Sequence, residues 1–231
     1  GEHKIALADE KMLPDVALLN TVFLNGLPAK VVADTGMDVL THSIEAYVST
    51  NANPFSSSFA MKSIKLIFEN LVAHYNDRKI QGPKENVQFS SCLAGIAFDN
   101  SSLGINHSIA HTVGAKFHIA HGRANAIIMP YVIEVNTEAN RKYFEISREL
   151  GLPSDTIEEG KYSLLSFVRI LKEKLAVEKS LKDYGVDFEA FKREIPSMLE
   201  DIKKDICTQY NPNKLTDEEY VRLLLKIYFG E

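Results

Sequence analysis

Apolar residues along most of this chain recur at helical spacing rather than at the alternation of a half-buried strand. Asp34 or Thr35 can cap a helix that runs to about residue 49, with Met37, Leu40, Ile44 and Tyr47 on its apolar side. Asn53 followed by Pro54 reads as a cap and a first helical residue. The helix it opens carries a wide stripe that includes Phe55, Phe59, Ile67, Phe68, Leu71 and Tyr75. Residues 80–83 read as a turn and 87–98 as a further helix with small residues Ala94, Gly95 and Ala97. An apolar run over 124–135 is interrupted by Pro130, and amphipathic helices are expected at 141–150, 163–177, 188–202 and 217–228. Pro196 should kink or split the third of these, and Thr216 with Glu219 forms a capping box for the fourth. Before residue 34 the pattern is mixed. Residues 15–19 are compatible with a short buried strand, and 21–24 with another short element. The fold class implied is all-α, since neither the βα alternation of a doubly wound sheet nor the strand pattern of a sandwich is present.

Composition narrows the function classes. The chain has 231 residues, 45% hydrophobic and 25% charged, as expected for a globular protein. A formal net charge of -5 gives no support to nucleic-acid binding. No run approaches the ~20 apolar residues of a membrane helix. The N-terminal residues show no signal-peptide pattern, and the two cysteines, Cys92 and Cys207, lie in no motif. A cytoplasmic protein with two free thiols is the expectation. No two of the 12 glycines are two residues apart, so no dinucleotide fingerprint exists.

The chemistry is concentrated in two clusters. Asp38 and His42 are four apart and share a helix face, while His107, His111 and His121 follow within one short stretch. Taken singly, Asp38 and His42 read as a solvated face, and His107 and His111 as a surface pair or as core histidines. Taken together, flanked by apolar residues and glycines, three imidazoles and a carboxylate suit a divalent transition metal such as iron or zinc. A metal-dependent hydrolase is the alternative on spacing, but no glutamate base stands in an H-E-x-x-H arrangement. His3 falls in a frayed terminus, His74 reads as a structural cation at a helix end, and His118 as a packing or supporting residue. Glu45 is read as a surface acid in preference to a partner of the metal site, and Arg123 faces either substrate or a neighbouring carboxylate. The basic stretch from Lys161 to Lys182 reads as a solvated surface.

The residues 34–49 (DTGMDVLTHSIEAYVS), 94–98 (AGIAF), 103–115 (LGINHSIAHTVGA) and 117–126 (FHIAHGRANA) closely resemble the signatures of the iron-containing (group III, metal-dependent) alcohol dehydrogenases. The Phe-His-Ile element is similar to that of the alcohol dehydrogenase half of bifunctional acetaldehyde–alcohol dehydrogenases. The chain departs from relatives at Ala120, where many have proline, and at Thr112, where the bifunctional enzymes often have lysine. The resemblance implies the helical metal-binding domain of the dehydroquinate synthase-like fold, with the N-terminal dinucleotide domain absent. Residues 1–33 would then be a residual connecting segment and 34–231 the helical catalytic domain. It implies Asp38, His42, His107 and His121 as ligands of Fe(2+), with Zn(2+) possible, and His111 as the residue near the nicotinamide that relays a proton. The implied activity interconverts a primary alcohol and its aldehyde with NAD(H) or NADP(H), the metal polarising the substrate oxygen. Partners would be the missing nucleotide domain and, in a homo-oligomer, other copies of the chain. A glycerol- or butanol-type dehydrogenase and a non-enzymatic helical interaction module are the alternatives, and a fragment of this kind is expected to be inactive alone.

Overall fold

A computed structural model describes residues 10–12 and 14–231; His3 lies outside them. Among the described residues the regular elements are all helical. They are α1 (Ala29–Val48), α2 (Pro54–Asn76), α3 (Gln81–Ser101), α4 (Ile105–Phe117), α5 (His121–Val135), α6 (Asn140–Glu149), α7 (Ile157–Lys174), α8 (Leu181–Tyr184), α9 (Phe188–Lys204) and α10 (Asp217–Phe229), with short 3-10 turns between some of them.

Local chemistry explains several of these boundaries. The Asn53 side chain accepts the backbone N–H groups of Phe55 and Ser56, Ser56 returns the bond, and Pro54 opens α2. Thr216 and Glu219 form the expected capping box on α10, which Gly230 ends in a left-handed conformation at φ 85°. Thr156 caps α7, whose first turn carries Glu158 and Glu159 and whose last carries Lys172 and Lys174, the order the helix dipole favours.

Several expectations are overturned. Helix α1 begins at Ala29, without a side-chain cap, so Asp34 and Thr35 lie inside it; Asp34 is instead a buried partner of Arg123. Residues 15–19 form no strand, with Val16 70% and Leu18 86% exposed and, among the described residues, no strand to complete a ladder. Residues 81–83 belong to the first turn of α3, where Pro83 loses an N–H that has no helical partner anyway. Of the kink or split expected at Pro196, the split does not occur, since α9 is continuous from Phe188 to Lys204. The proline and Lys192, whose carbonyl it leaves without a helical donor, are both exposed, so water can take the place of the missing N–H. The stripe on α2 starts later than its pattern suggested: Phe55 is 80% exposed, and the buried face is Ala60, Ile64, Ile67 and Leu71 with Ser63 and His74.

The core is one large cluster in which α5 is central, with a small separate cluster of Ala46, Ala60 and Ala97 where α1, α2 and α3 meet. Every residue from Arg123 to Ile133 is buried, and the helix packs on α1, α4, α7 and α10. Helices α1, α2 and α3 meet at a seam of small hydroxyls, where Ser43, Ser63 and Ser90 hydrogen-bond in a chain. The close contact of α1 with α5 depends on Gly122, because a Cβ there would stand 2.2 Å from the Asp34 carbonyl oxygen. That contact sets His121 beside Asp38.

Candidate metal centre

Three helices converge on one point. Helix α1 presents Asp38 and His42 one turn apart, with His42 Nδ1 4.0 Å from Asp38 Oδ1. His107 Nε2 on α4 is 3.7 Å from the same oxygen, and His121 Nε2 at the start of α5 is 3.6 Å from it. One atom from each of the four residues lies within 4.8 Å of the others. The separations of 3.6–4.0 Å from Asp38 Oδ1 are near those that donor atoms would have if they shared one ion at bonds of about 2.1 Å. The buried Nε2 of His107 has no hydrogen-bond partner, an uncommon condition for a buried ring nitrogen and the one a metal bond would satisfy.

The electrostatics suit this use. Burial and the neighbouring His107 push His42 down to about 3, so its ring is neutral. Burial opposes ionisation of Asp38, yet the three imidazoles around it hold its carboxyl well below the usual range. Burial would lower His107, but the carboxylates of Asp38 and Glu45 outweigh it and raise it to about 9.

A ring of partners orients the donors. Glu45, read from the sequence as a surface acid, is only 4% exposed. Its Oε2 accepts His107 Nδ1–H at 2.5 Å, and Oε1 accepts the Asn106 backbone N–H at 2.7 Å. This leaves Nε2 of His107 facing the donors, the carboxylate–histidine arrangement of many metal sites. Glu45 fits there because residue 104 is glycine; a Cβ at Gly104 would lie 2.7 Å from Glu45 Oε1 and 2.9 Å from Asn211 Oδ1. Asn125 Nδ2 donates to Asp38 Oδ1 at 2.7 Å, and its own Oδ1 accepts from Asn106 Nδ2 at 2.7 Å. Arg123 resolves to the carboxylate reading: it pairs with Asp34 at 2.6 Å and Glu178 at 3.0 Å, tying α5 to α1 and to the segment after α7.

His111 lies one turn beyond His107 and stacks on His121 with ring centroids 5.3 Å apart. Its Nδ1 is 2.7 Å from Asp205 Oδ2, a partner from the end of α9. Two other histidines depart from expectation. His74 does lie in the last turn of α2 as a structural residue, but it is 2% exposed and pushed down by burial, so it is neutral and not a cation. His118 is exposed and ends α4 in a left-handed conformation at φ 54°, away from the packing role expected of it. Lys172, assigned to a solvated surface, is buried and donates to the Ile127 carbonyl at 3.1 Å. This bond lies beside Pro130, which supplies no N–H to the α5 ladder.

With this geometry in view, residues 32–228 match the family model described as Fe-containing alcohol dehydrogenase family, C-terminal. The chain belongs to the Fe-containing alcohol dehydrogenase family. It is 40% identical over 230 residues to an NADPH-dependent butanol dehydrogenase of Clostridium saccharobutylicum, covering 99% of this chain and 59% of that protein. It is 35% identical over 247 residues to the bifunctional aldehyde-alcohol dehydrogenase AdhE of Escherichia coli K12, covering 99% of this chain and 28% of AdhE. Among solved structures, the iron-containing alcohol dehydrogenase of Thermococcus thioreducens superposes with a TM-score of 0.89 at 34% identity, covering 97% of this chain and 57% of that one. The chain therefore spans a little over half the length of single-function members of the Fe-containing alcohol dehydrogenases and matches the family's C-terminal region. Among the described residues no helix is long and apolar enough to cross a membrane.

Proposed function

We propose that this chain is the metal-holding part of an NAD(P)-dependent dehydrogenase acting on a primary alcohol or its aldehyde. The observation that carries the reading is the convergence of Asp38, His42, His107 and His121 around a buried, unpartnered imidazole nitrogen, in a chain of this family. These four residues would hold Fe(2+), and the same donor set accepts Zn(2+). A divalent ion held there supplies Lewis acidity for an alcohol or aldehyde oxygen. Glu45 and Asn125 keep His107 and Asp38 aimed at it. His111, stacked beside His121, is the group that would take the hydroxyl proton, and a bound nicotinamide would supply the hydride acceptor.

The 40% identity to a butanol dehydrogenase favours a straight-chain primary alcohol over glycerol. The sequence carries no glycine-rich phosphate loop, so turnover requires a nucleotide-binding domain such as the remaining length of the relatives provides. Without such a domain the exposed cleft face that it would cover is expected to drive self-association. A strictly monomeric species at every concentration in sedimentation would refute that last point. The test of the main reading is oxidation of a panel of primary alcohols and glycerol with NAD+ or NADP+ by the iron-loaded protein at the full length of its relatives. Metal-dependent cofactor reduction with a primary alcohol is expected, and its absence with every alcohol refutes the assignment. Equal turnover by residues 1–231 alone refutes the need for a nucleotide-binding domain.

A further inference from the structure

Asp205 joins two parts of the molecule that are 94 positions apart. It follows the last residue of α9, and its two carboxylate oxygens have separate partners. Oδ1 accepts the Cys207 backbone N–H at 2.9 Å, which starts the 3-10 turn Ile206–Tyr210. Oδ2 lies 2.7 Å from His111 Nδ1. Burial opposes ionisation, but His111 and the Cys207 N–H hold the Asp205 carboxyl down at about 2. An ionised carboxylate can only accept, so the shared proton belongs to His111 Nδ1 and the lone pair is left on Nε2.

The geometry is fixed from both sides. Thr208 Oγ1 lies 2.6 Å from the Ile202 carbonyl and 2.8 Å from Ser108 Oγ, and Cys207 is buried, so the turn that carries Asp205 is pinned to α4. Helix α4 carries His111 itself. The His111 ring is further held by its stack on His121, at 14° between planes, and by its edge-on approach to His107.

We infer that Asp205 is a positioning residue that locks His111 in the Nδ1–H tautomer, so that Nε2 is the atom that accepts a proton. The catalytic consequence rests on the dehydrogenase reading; the tautomer does not. In alcohol oxidation the hydroxyl proton passes to His111 Nε2 as hydride passes from the same alcohol to the nicotinamide. The aldehyde forms, and the imidazolium keeps its Nδ1–H on the Asp205 carboxylate until Nε2 returns its proton to solvent. Asp205 itself stays ionised throughout, as the carboxylate of a serine-protease triad does.

The decisive variant is Asp205→Asn. Its oxygen must stay on the Cys207 N–H, because the amide nitrogen cannot accept that bond. The NH2 group is then turned toward His111 Nδ1, donates to it, and forces the ring to the Nε2–H tautomer. Nitrogen-15 NMR of the His111 ring, on zinc-loaded protein at alkaline pH, reads this without any turnover. The expected result is Nδ1–H in the wild type and Nε2–H in Asp205→Asn. Asp205→Ser keeps a cap for the turn and leaves Nδ1 without a partner, so a mixture of tautomers is expected. An unchanged Nδ1–H tautomer in both variants overturns the inference and leaves Asp205 as a turn cap only. In the iron-loaded full-length enzyme, kcat of Asp205→Asn should fall by about 10²-fold or more with little change in KM, the span general acid–base catalysis covers. A flipped tautomer with unchanged kcat overturns the positioning role, whereas a wild type that never turns over strikes the dehydrogenase reading and leaves the tautomer result to judge Asp205.

Discussion

Replacing Glu45 by Gln should weaken metal binding by a calculable amount. The carboxylate takes three donors in a buried pocket: Asn106 N–H at 2.7 Å on Oε1, and His107 Nδ1–H at 2.5 Å and His107 N–H at 3.3 Å on Oε2. Glutamine has one oxygen for all of them. If its NH2 group faces Asn106, two donors confront each other, and a buried N–H goes unsatisfied at a cost of about 1–3 kcal/mol. If the NH2 group faces His107, it donates to Nδ1 and moves the ring proton to Nε2, the atom the metal needs. Either way His107 loses a charge-assisted bond that fixes its tautomer. Removing such a partner lowers metal affinity about 10–100-fold, or about 1.4–2.8 kcal/mol. Competition for Zn(2+) against a chromophoric chelator measures the loss, and melting of the metal-free protein shows that the fold persists. Glu149→Gln, on the exposed pair with Lys65, is the control and should leave Kd unchanged. A Kd for Glu45→Gln equal to that of the wild type would refute the argument that Glu45 aims His107.

Three further outcomes follow from the same geometry. His107 is raised to about 9 in the metal-free protein, so ion binding displaces a proton from it; affinity should climb with pH and level off above about 9, and a flat affinity–pH profile would contradict this. Lys172 is pushed by burial from 10.5 down to about 7, so the folded state holds its proton less tightly than the unfolded one; the cost is full below about 7 and fades as pH rises toward 10.5. Wild-type stability relative to Lys172→Met should therefore rise over that interval in urea unfolding, and parallel pH profiles would contradict it. Gly122→Ala would push a methyl group to within 2.2 Å of the Asp34 carbonyl oxygen, a backbone atom that cannot rotate away, so a loss of about 1–3 kcal/mol in denaturant unfolding is expected together with weaker metal binding; an unaltered midpoint would refute the close approach.

The helical class and the Asp38–His42 pair were legible because both are short-range patterns, whereas the choice of His107 and His121 to join that pair came from the family resemblance. Asp38 and His42 announce themselves by i,i+4 spacing, and the capping residues Asn53 and Thr216 by their neighbours. Glu45 was misjudged although it sits one turn after His42, because spacing alone does not tell which side of a buried helix meets α4. Asn125, one turn after His121, could have been found by the same i,i+4 logic that found His42. Asp205 could not, since its link to His111 exists only through the packing of α9 and its following turn on α4. Lys172 misled for a related reason: acids and lysines alternate around it, and only the burial of α7 against α5 turns that one lysine inward. Phe55 misled in the opposite direction, as an aromatic at helical spacing that nothing covers.

Metal content of the purified chain, prepared anaerobically and supplied with Fe(2+) or Zn(2+), compared between the wild type and His107→Ala, tests the central claim most directly. The four-donor centre predicts one ion per chain in the wild type and its loss in the variant, with the helical fold retained. A folded wild type that takes up neither ion, or a variant that keeps its ion, would contradict the assignment.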